Sequence, residues 1–309
     1  MKAVICTRYG APEALRLAEV ETPSPRPGQV RIRIRATAVT ASDSLVRGLK
    51  VPARYRLLIR LLFGWKAPRR PILGMVLAGE IDALGRNVSA FKVGDQVFGL
   101  TQRLFGTNAQ YICWPENGVL TMRPANLTFE EAAALPYGGL IALFFMRKAE
   151  IKAGQDVLVY GASGAIGTAA VQLIGERGAR VTGVCSTANV PLVESLGAST
   201  VIDYTHEDFT RRPERYDVIF DAVGRRKSAQ ALVDAKRALR PGGRIISVDD
   251  AFPRLSRADL IVLKELAESG ALKPVIDRTY PLQEMAEAHR YVDGGHKKGN
   301  VIVTVDHSD

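Results

Sequence analysis

The segment VLVYGASGAIGTAAVQLIGERGA, residues 157–179, constrains this chain more than any other. VLVY predicts a buried strand, and the run from Thr168 to Arg177 predicts a helix. Between them stand Gly161, Gly164 and Gly167 in GxxGxxG spacing. A tight turn, close approach of backbone to a pyrophosphate, and close packing of helix on strand all favour residues without a Cβ. The start of the helix then offers free N–H groups and the positive end of its dipole to the phosphates. The loop therefore predicts dinucleotide binding, with Gly161, Ser163, Gly164, Ala165 and Ile166 cradling the pyrophosphate. The alternative is the glycine-rich turn of an S-adenosylmethionine-dependent methyltransferase. Such turns usually carry an acidic residue just before the glycines, where Tyr160 stands here.

The surrounding pattern supports that placement. After Asp156, strand-like runs (RVTGVCS, TVIDY, YDVIFDAVG, RIISV) alternate with helical ones near 191–196, 228–239 and 257–269. This alternation predicts an α/β fold, a doubly wound parallel sheet with helices on both faces. Residues before Leu127 read differently. VRIRIRA (30–36) alternates apolar and basic residues, the period of a half-buried strand. KAVICT and residues 110–114 read likewise, TPSPRPGQ is a turn cluster, and Gly74, Gly79, Gly85, Gly94 and Gly99 punctuate a compact barrel-like stretch. TFEEAAALP opens the change of texture with Thr128 and Glu131 spaced as a capping box. The tail returns to strand (273–278), helix (282–293) and strand (300–305).

The end of the second strand chooses the cofactor. An NAD enzyme places Asp or Glu there, about 20 residues past the first glycine, to hold the ribose 2′-hydroxyl. Here the turn reads GVCSTANVP, with Cys185, Ser186, Thr187 and Asn189 and no carboxylate before Glu194. Hydroxyls and amides hydrogen-bond a 2′-phosphate, and a carboxylate would repel it. The turn predicts NADP(H), with Ser186 and Thr187 at the adenosine phosphate; helix capping by the same hydroxyls is compatible with that role.

At 309 residues the chain has room for two domains, and 47% hydrophobic residues supply ample core. That composition excludes disordered, collagenous and disulfide-scaffold classes. No run of about 18 uncharged apolar residues is present: Leu57–Trp65 is broken by Arg60, and Ala132–Met146 by Pro136 and a glycine pair. The opening MKAVICTRYG has too short an apolar run for a secretory signal. Cys6, Cys113 and Cys185 are widely spaced, with no CxxC, which predicts a reducing, cytoplasmic setting and no structural zinc. The net charge of +10 suits a small anionic cofactor as well as a nucleic acid or an anionic surface, and decides nothing alone.

Taken with MKAVICTRYG, VTASDSLVRG, RPILGMVLAGEIDALGRNV, VGDQVFG, EEAAALPYGGL, VLVYGASGAIG, VIDYT, YDVIFDAVG, PGGR and HKKGNVIV, the chain resembles the medium-chain dehydrogenase/reductase superfamily, in its zinc-independent quinone oxidoreductase-like branch. The resemblance covers nearly the whole length. It implies a GroES-like β-barrel catalytic domain (1–122, completed by 275–309), a Rossmann domain (123–274), and an active site in the cleft between them. It further implies that Tyr204 meets the adenosine end, that Val223 and Gly224 lie along the adenine ribose, that Ile141 lies near the nicotinamide, and that Lys298 and Asn300 close on the cofactor.

The family's zinc enzymes take ligands from a Cys and a His where Thr40 and Met75 stand here. Neither is a ligand type for catalytic zinc. Without a Lewis acid, hydride delivery from NADPH to a quinone or to the C=C bond of an enal or enone is the reaction the resemblance implies. The resulting oxyanion needs hydrogen-bond donors; the candidates are Thr40, Ser42, Tyr55 and Tyr137, with Thr40 first because it occupies the vacated ligand position. His206, His289, His296 and His307 are expected at the surface.

Three departures stand out: Ile141 where relatives commonly carry Thr, Val76 where an acidic residue is common, and a short DDAFPRL connection after RIISV where relatives insert a dimer-forming strand. The last predicts a monomer, or a dimer built differently from the family's. The first, with the short connection, motivates a rival reading, an NADPH-binding sensor or partner-binding protein with little turnover. Residues 47–70 carry eight basic residues and no acid, interleaved with Leu, Ile, Phe and Trp. One reading is a loop and short helix over the substrate cleft with its basic face in water. Another is an interfacial helix making weak contact with anionic membrane. Nucleic acid is a third, for which no motif is present.

Overall fold

The computed structural model describes residues 1–50, 57, 60–61 and 64–307. The chain divides into two compact units: Met1–Pro136 with Ser256–Ile261 and Ile276–Asp309, and Tyr137–Leu255 with Val262–Val275. The composition change near Leu127 thus falls inside the first unit.

The first unit is built on Gln29–Val39. Val30, Ile32, Ile34 and Ala36 are fully buried while Arg31, Arg33 and Arg35 are half-buried, the alternation read from VRIRIRA. From Ala36 to Thr40 both faces are buried, so the strand enters the interior as it approaches Thr40. It pairs antiparallel with Val76–Leu84, Tyr111–Pro115 and Asn300–Thr304. The sheet continues through Gln96–Leu100 to Leu120–Met122 on one side and to Ile276–Pro281 on the other. Val4, Val30, Ile32, Ile34, Leu77, Ile81, Val97, Val301 and Val303 fill its core. Lys2–Cys6 and Leu15–Glu19 form a separate antiparallel pair.

The second unit is a five-stranded sheet in the order Thr200–Asp203, Arg180–Cys185, Asp156–Tyr160, Tyr216–Asp221, Leu239–Ser247, with every pair parallel. By order of appearance this is 3-2-1-4-5, the doubly wound arrangement in which ligands sit beyond the carboxyl ends of the strands. Helices Ala165–Glu176, Val190–Ser195 and Arg225–Ala235 join successive strands. The first is buried nearly all round and ends at Gly178, whose φ of +80° closes the helix with N–H bonds back to Gly175 O and, from Ala179, to Ile174 O. The strand RIISV extends back to Leu239, because Leu239 pairs with Tyr216 across the sheet. The helix expected over 228–239 forms earlier, at Arg225–Ala235.

The capping box at Thr128 forms as read: Glu131 N–H donates to Thr128 Oγ1 at 3.2 Å and Thr128 N–H to Glu131 Oε2 at 2.8 Å. The stretch Phe129–Lys148 is apolar enough to cross a membrane by length and composition, but 72% of its most apolar 18 residues are buried within the protein, as in a core helix.

Candidate functional site

The glycine loop lies between Asp156–Tyr160 and Ala165–Glu176. Gly161 has φ +80°, and a Cβ there would fall 2.2 Å from Val223 Cγ2. A Cβ on Gly167 would fall 2.1 Å from Gly161 O and 2.8 Å from Ala162 backbone, so the helix rests directly on the turn. Gly164 differs: a Cβ there would meet only Gly161 O, at 3.6 Å. Gly164 is the helix N-cap and supplies no capping side chain. The N–H groups of the first turn, from Ala165 on, have no intrahelical acceptor. An open lip beside uncapped N–H groups fits the pyrophosphate of a dinucleotide.

The adenosine end lies beyond Arg180–Cys185. Asn189 is buried, and its Nδ2 donates to Ser163 Oγ and to Ser186 Oγ, both at 3.1 Å, tying the glycine loop to the end of the second strand. Its Oδ1 has no partner. Ser186 stands at the N-cap of a short helical turn without capping it. Burial pushes the Cys185 thiol up to about 11, so it adds no charge here. Thr187 is exposed, and its Oγ1–H donates to Asp203 Oδ2 at 2.5 Å. The sequence had shown no carboxylate in this turn; the neighbouring strand brings one. Tyr204 is 54% exposed beside it.

Two further walls flank the loop. Val223 and Gly224 N–H groups donate to Asp221 Oδ1 at 3.1 and 3.2 Å, and the hydroxyls of Ser228 and Ser247 donate to Oδ2 at 2.8 and 2.7 Å. This fully buried carboxylate fixes the turn that holds Val223 against Gly161. Pro136–Lys148 carries Tyr137 and Ile141 one turn apart. A Cβ on Gly138, between them, would fall 2.1 Å from Ala165 O, so this helix packs hard against the start of the phosphate-loop helix.

In the first unit Thr40 is the N-cap of Ala41–Gly48 and forms a capping box with Asp43. Thr40 N–H and Oγ1–H donate to Asp43 Oδ2 at 2.8 and 2.6 Å, and Gly74 N–H donates to Oδ1 at 3.1 Å. Asp43 is fully buried, and burial pushes its carboxyl up to about 6 despite these bonds. Ser42, in the same first turn, is half-buried. Gly74 has φ +89°, and a Cβ there would fall 2.2 Å from Oδ1 of Asn108, a buried side-chain amide neither of whose polar atoms has a partner. Asn300 is buried at the start of its strand, and Lys298 N–H donates to Asp277 Oδ2 at 2.9 Å. Tyr55 lies outside the described residues, as does most of 51–63.

Two expectations are corrected. His289 is not at the surface: it is fully buried, and its Nδ1 accepts from Arg47 Nε at 3.2 Å. Burial and the neighbouring guanidinium push it down to about 3, so it stays neutral. Arg47 does not belong to a basic face in water or at a membrane. It is completely buried, donating to Gly10 O at 2.6 Å and to Asp293 Oδ2 at 2.5 Å. Asp43 and Asp203 are not among the candidates the sequence offers, and the Asn189 amide, read from the sequence as a phosphate partner, instead ties Ser163 to Ser186. TASD, with Thr and Asp three apart, carried a capping-box signal for the first; Asp203 had none in its own turn.

The residues do not suit a metal. Thr40 commits its hydroxyl hydrogen to Asp43, and Met75 packs half-buried against the barrel core. Among the described residues no group of three or more His, Cys, Asp or Glu could hold an ion.

Residues 26–124 match the alcohol dehydrogenase GroES-like domain family, and 165–272 and 251–303 match families described as zinc-binding dehydrogenase. The 2-methylene-furan-3-one reductase of Solanum lycopersicum is 31% identical over 323 residues, covering 98% of this chain and 79% of its own. The chloroplastic NADPH-dependent alkenal/one oxidoreductase of Arabidopsis thaliana is 30% identical over 326 residues, with the same coverage. The structure of the quinone oxidoreductase from Coxiella burnetii superposes with a TM-score of 0.84 at 26% identity, covering 99% of each chain. The chain belongs to the medium-chain dehydrogenase/reductase superfamily, in its quinone oxidoreductase-like branch.

Proposed function

We propose that this chain is a cytoplasmic, NADPH-dependent reductase that transfers hydride to a quinone or to the C=C bond of an α,β-unsaturated carbonyl, without zinc. The observation that carries the reading is the open lip at Gly164 beside the uncapped helix start. The names of the Solanum, Arabidopsis and Coxiella relatives support the acceptor class. Three free thiols, Cys6, Cys113 and Cys185, agree with a reducing compartment.

When bound, the reduced nicotinamide nucleotide supplies the hydride. The protein holds the pyrophosphate on the N–H groups that begin the helix at Ala165, seats Val223 and Gly224 along the ribose, and places Ser186 and Thr187 at the adenosine end. Thr40, Ser42 and Tyr137 are the hydroxyls proposed to polarise the acceptor oxygen. Thr40 donates to it only when Asp43 is protonated. The ionised carboxylate takes the Thr40 hydrogen; the neutral acid donates to Thr40 Oγ1 instead and frees it.

The test is to mix the protein with NADPH and a panel of quinones, enals and enones, following the absorbance of the reduced nicotinamide before and after exhaustive dialysis against a chelator. Turnover unchanged by the chelator is the expected result. Cofactor binding without turnover across the panel would favour the sensor reading that Ile141 motivates, and turnover lost with the metal would overturn zinc independence.

A further inference from the structure

The adenosine end of the nucleotide unit contains a carboxylate that its turn sequence does not. Asp203 lies directly opposite Cys185 in the parallel pair, and Tyr204 N–H donates to Cys185 O at 3.0 Å, so the ends of both strands open onto one place. Each Asp203 oxygen is engaged. Oδ2 accepts from Thr187 Oγ1–H at 2.5 Å and lies 2.9 Å from His206 Nδ1. Oδ1 accepts from Thr205 N–H at 2.9 Å and Oγ1–H at 2.6 Å. Led by the Thr187 and Thr205 hydroxyls, these bonds hold the carboxyl well below the usual carboxylate range, so it is ionised at any working pH.

The consequence concerns which ribose substituent the turn accepts. A hydroxyl has one hydrogen. Thr187 and Thr205 give theirs to Asp203 and lie 3.0 Å apart, oxygen to oxygen, so neither hydroxyl keeps a hydrogen for a ligand. A lone pair accepts from a ribose 2′-hydroxyl and has nothing to give a phosphate. The carboxylate, one hydrogen bond behind Thr187, also repels a dianion at that position.

We propose that Asp203 is a specificity-determining residue that counters the 2′-phosphate, so that this chain takes NADH as a hydride donor alongside NADPH, with a preference for NADPH below about tenfold. The proposal rests on the nucleotide site of the proposed function and refines its cofactor; it does not depend on which acceptor is reduced.

Direct binding, measured without any acceptor, keeps the two readings apart. Quenching of protein fluorescence or calorimetry gives the Kd of NADH and of NADPH for the wild type, Asp203→Asn and Asp203→Ser, each checked for native melting. The wild-type ratio of the two Kd values should lie within about tenfold. In both variants it should move toward NADPH by about tenfold or more, as expected for removing one like charge near a phosphate. A wild-type preference for NADPH of a hundredfold or more would overturn the proposal. So would a ratio unchanged in the variants, even if both affinities fall together, since that marks a structural role for Asp203. Failure of both nucleotides to bind the wild type would sink the reductase reading itself. Tight binding with no turnover of any acceptor would sink only that reading and leave Asp203 standing.

Discussion

Gly164→Ala separates folding from cofactor binding at the glycine loop. Gly164 has φ −79° and ψ 175°, which alanine adopts without strain, and its new Cβ would meet only Gly161 O at 3.6 Å. Alanine is a poorer N-cap than glycine, by up to about 1 kcal/mol. Loss of glycine's freedom in the unfolded chain offsets about 0.4–1 kcal/mol of that. The net change in stability should stay within about 1 kcal/mol, a Tm shift of roughly 2–4 °C. Cofactor binding should suffer much more. The methyl group occupies the lip over which the pyrophosphate approaches, and displacing a phosphate from even one or two charge-assisted N–H bonds costs about 3 kcal/mol. That is roughly a hundredfold in Kd. Gly167→Ala is the control with the opposite outcome. Its Cβ would fall 2.1 Å from Gly161 O, so backbone must move. Overpacking of that kind costs about 1–3 kcal/mol. The assay pairs thermal melting with calorimetric titration of NADPH. A Gly164→Ala protein that melts like the wild type and binds NADPH within threefold of it would refute the assignment of that space to the phosphates.

Other residues give sharp expectations. Asp43 is pushed up to about 6 in the fold, above its unfolded value near 4. Its contribution to stability is therefore fully present below about pH 4 and is lost as pH rises through 6, a change of roughly 3 kcal/mol. Urea unfolding at a series of pH values should show the wild type losing that much relative to Asp43→Asn between pH 4 and 7; a flat difference would contradict the buried carboxylate. Asp293→Ala leaves the fully buried Arg47 guanidinium without its carboxylate, and should destabilise by about 3–5 kcal/mol. Arg47→Met, which removes the charge altogether, should cost less, and the reverse order by chemical denaturation would show that the pair is not what holds that region.

What the sequence revealed was local. VLVY, the glycines and the following helix form one continuous segment whose periodicity and punctuation carry the whole motif, and the alternation of strands and helices after Asp156 gives the sheet class directly. VRIRIRA wrote its own inner and outer faces. What stayed hidden was brought together by pairing of distant segments. Arg47 and His289 meet across 242 residues, so a basic stretch that looked like a solvated or membrane-facing face hides one fully buried cation. Asp203 reaches the turn at Thr187 only because Thr200–Asp203 pairs beside Arg180–Cys185 in register. A rule that looks for the acidic residue at a fixed spacing after the glycines cannot see a carboxylate delivered by the next strand. Asp43 is the exception: TASD has the spacing of a capping box, but its complete burial and its bond from Gly74 N–H join segments 31 residues apart.

The short connection after the last parallel strand bears on assembly, and the strand itself supplies a reason. Leu239–Ser247 is the outer strand of the five-stranded sheet. To join an edge to that of a second copy, it must present consecutive N–H and C=O groups. Its first half cannot: Pro241 has no N–H, Gly242 has φ +78°, and the register against Tyr216–Asp221 shifts between Tyr216 and Val218. Arg240 and Arg244 add charge along it, with Arg240 held by Asp156 and Asp217. Pro, a bulge and basic side chains are the usual devices by which an exposed edge avoids pairing. The remaining stretch, Arg244–Ser247, is short, and residues 248–256 form neither strand nor helix that could extend the sheet. The chain should therefore behave as a monomer of 33.6 kDa in size-exclusion chromatography with light scattering. A stable dimer whose 239–247 amides are protected from hydrogen exchange, and lose that protection on dilution to monomer, would refute the argument from the edge. A dimer in which those amides exchange as in the monomer would refute only the stoichiometry, and would place the contact on another surface.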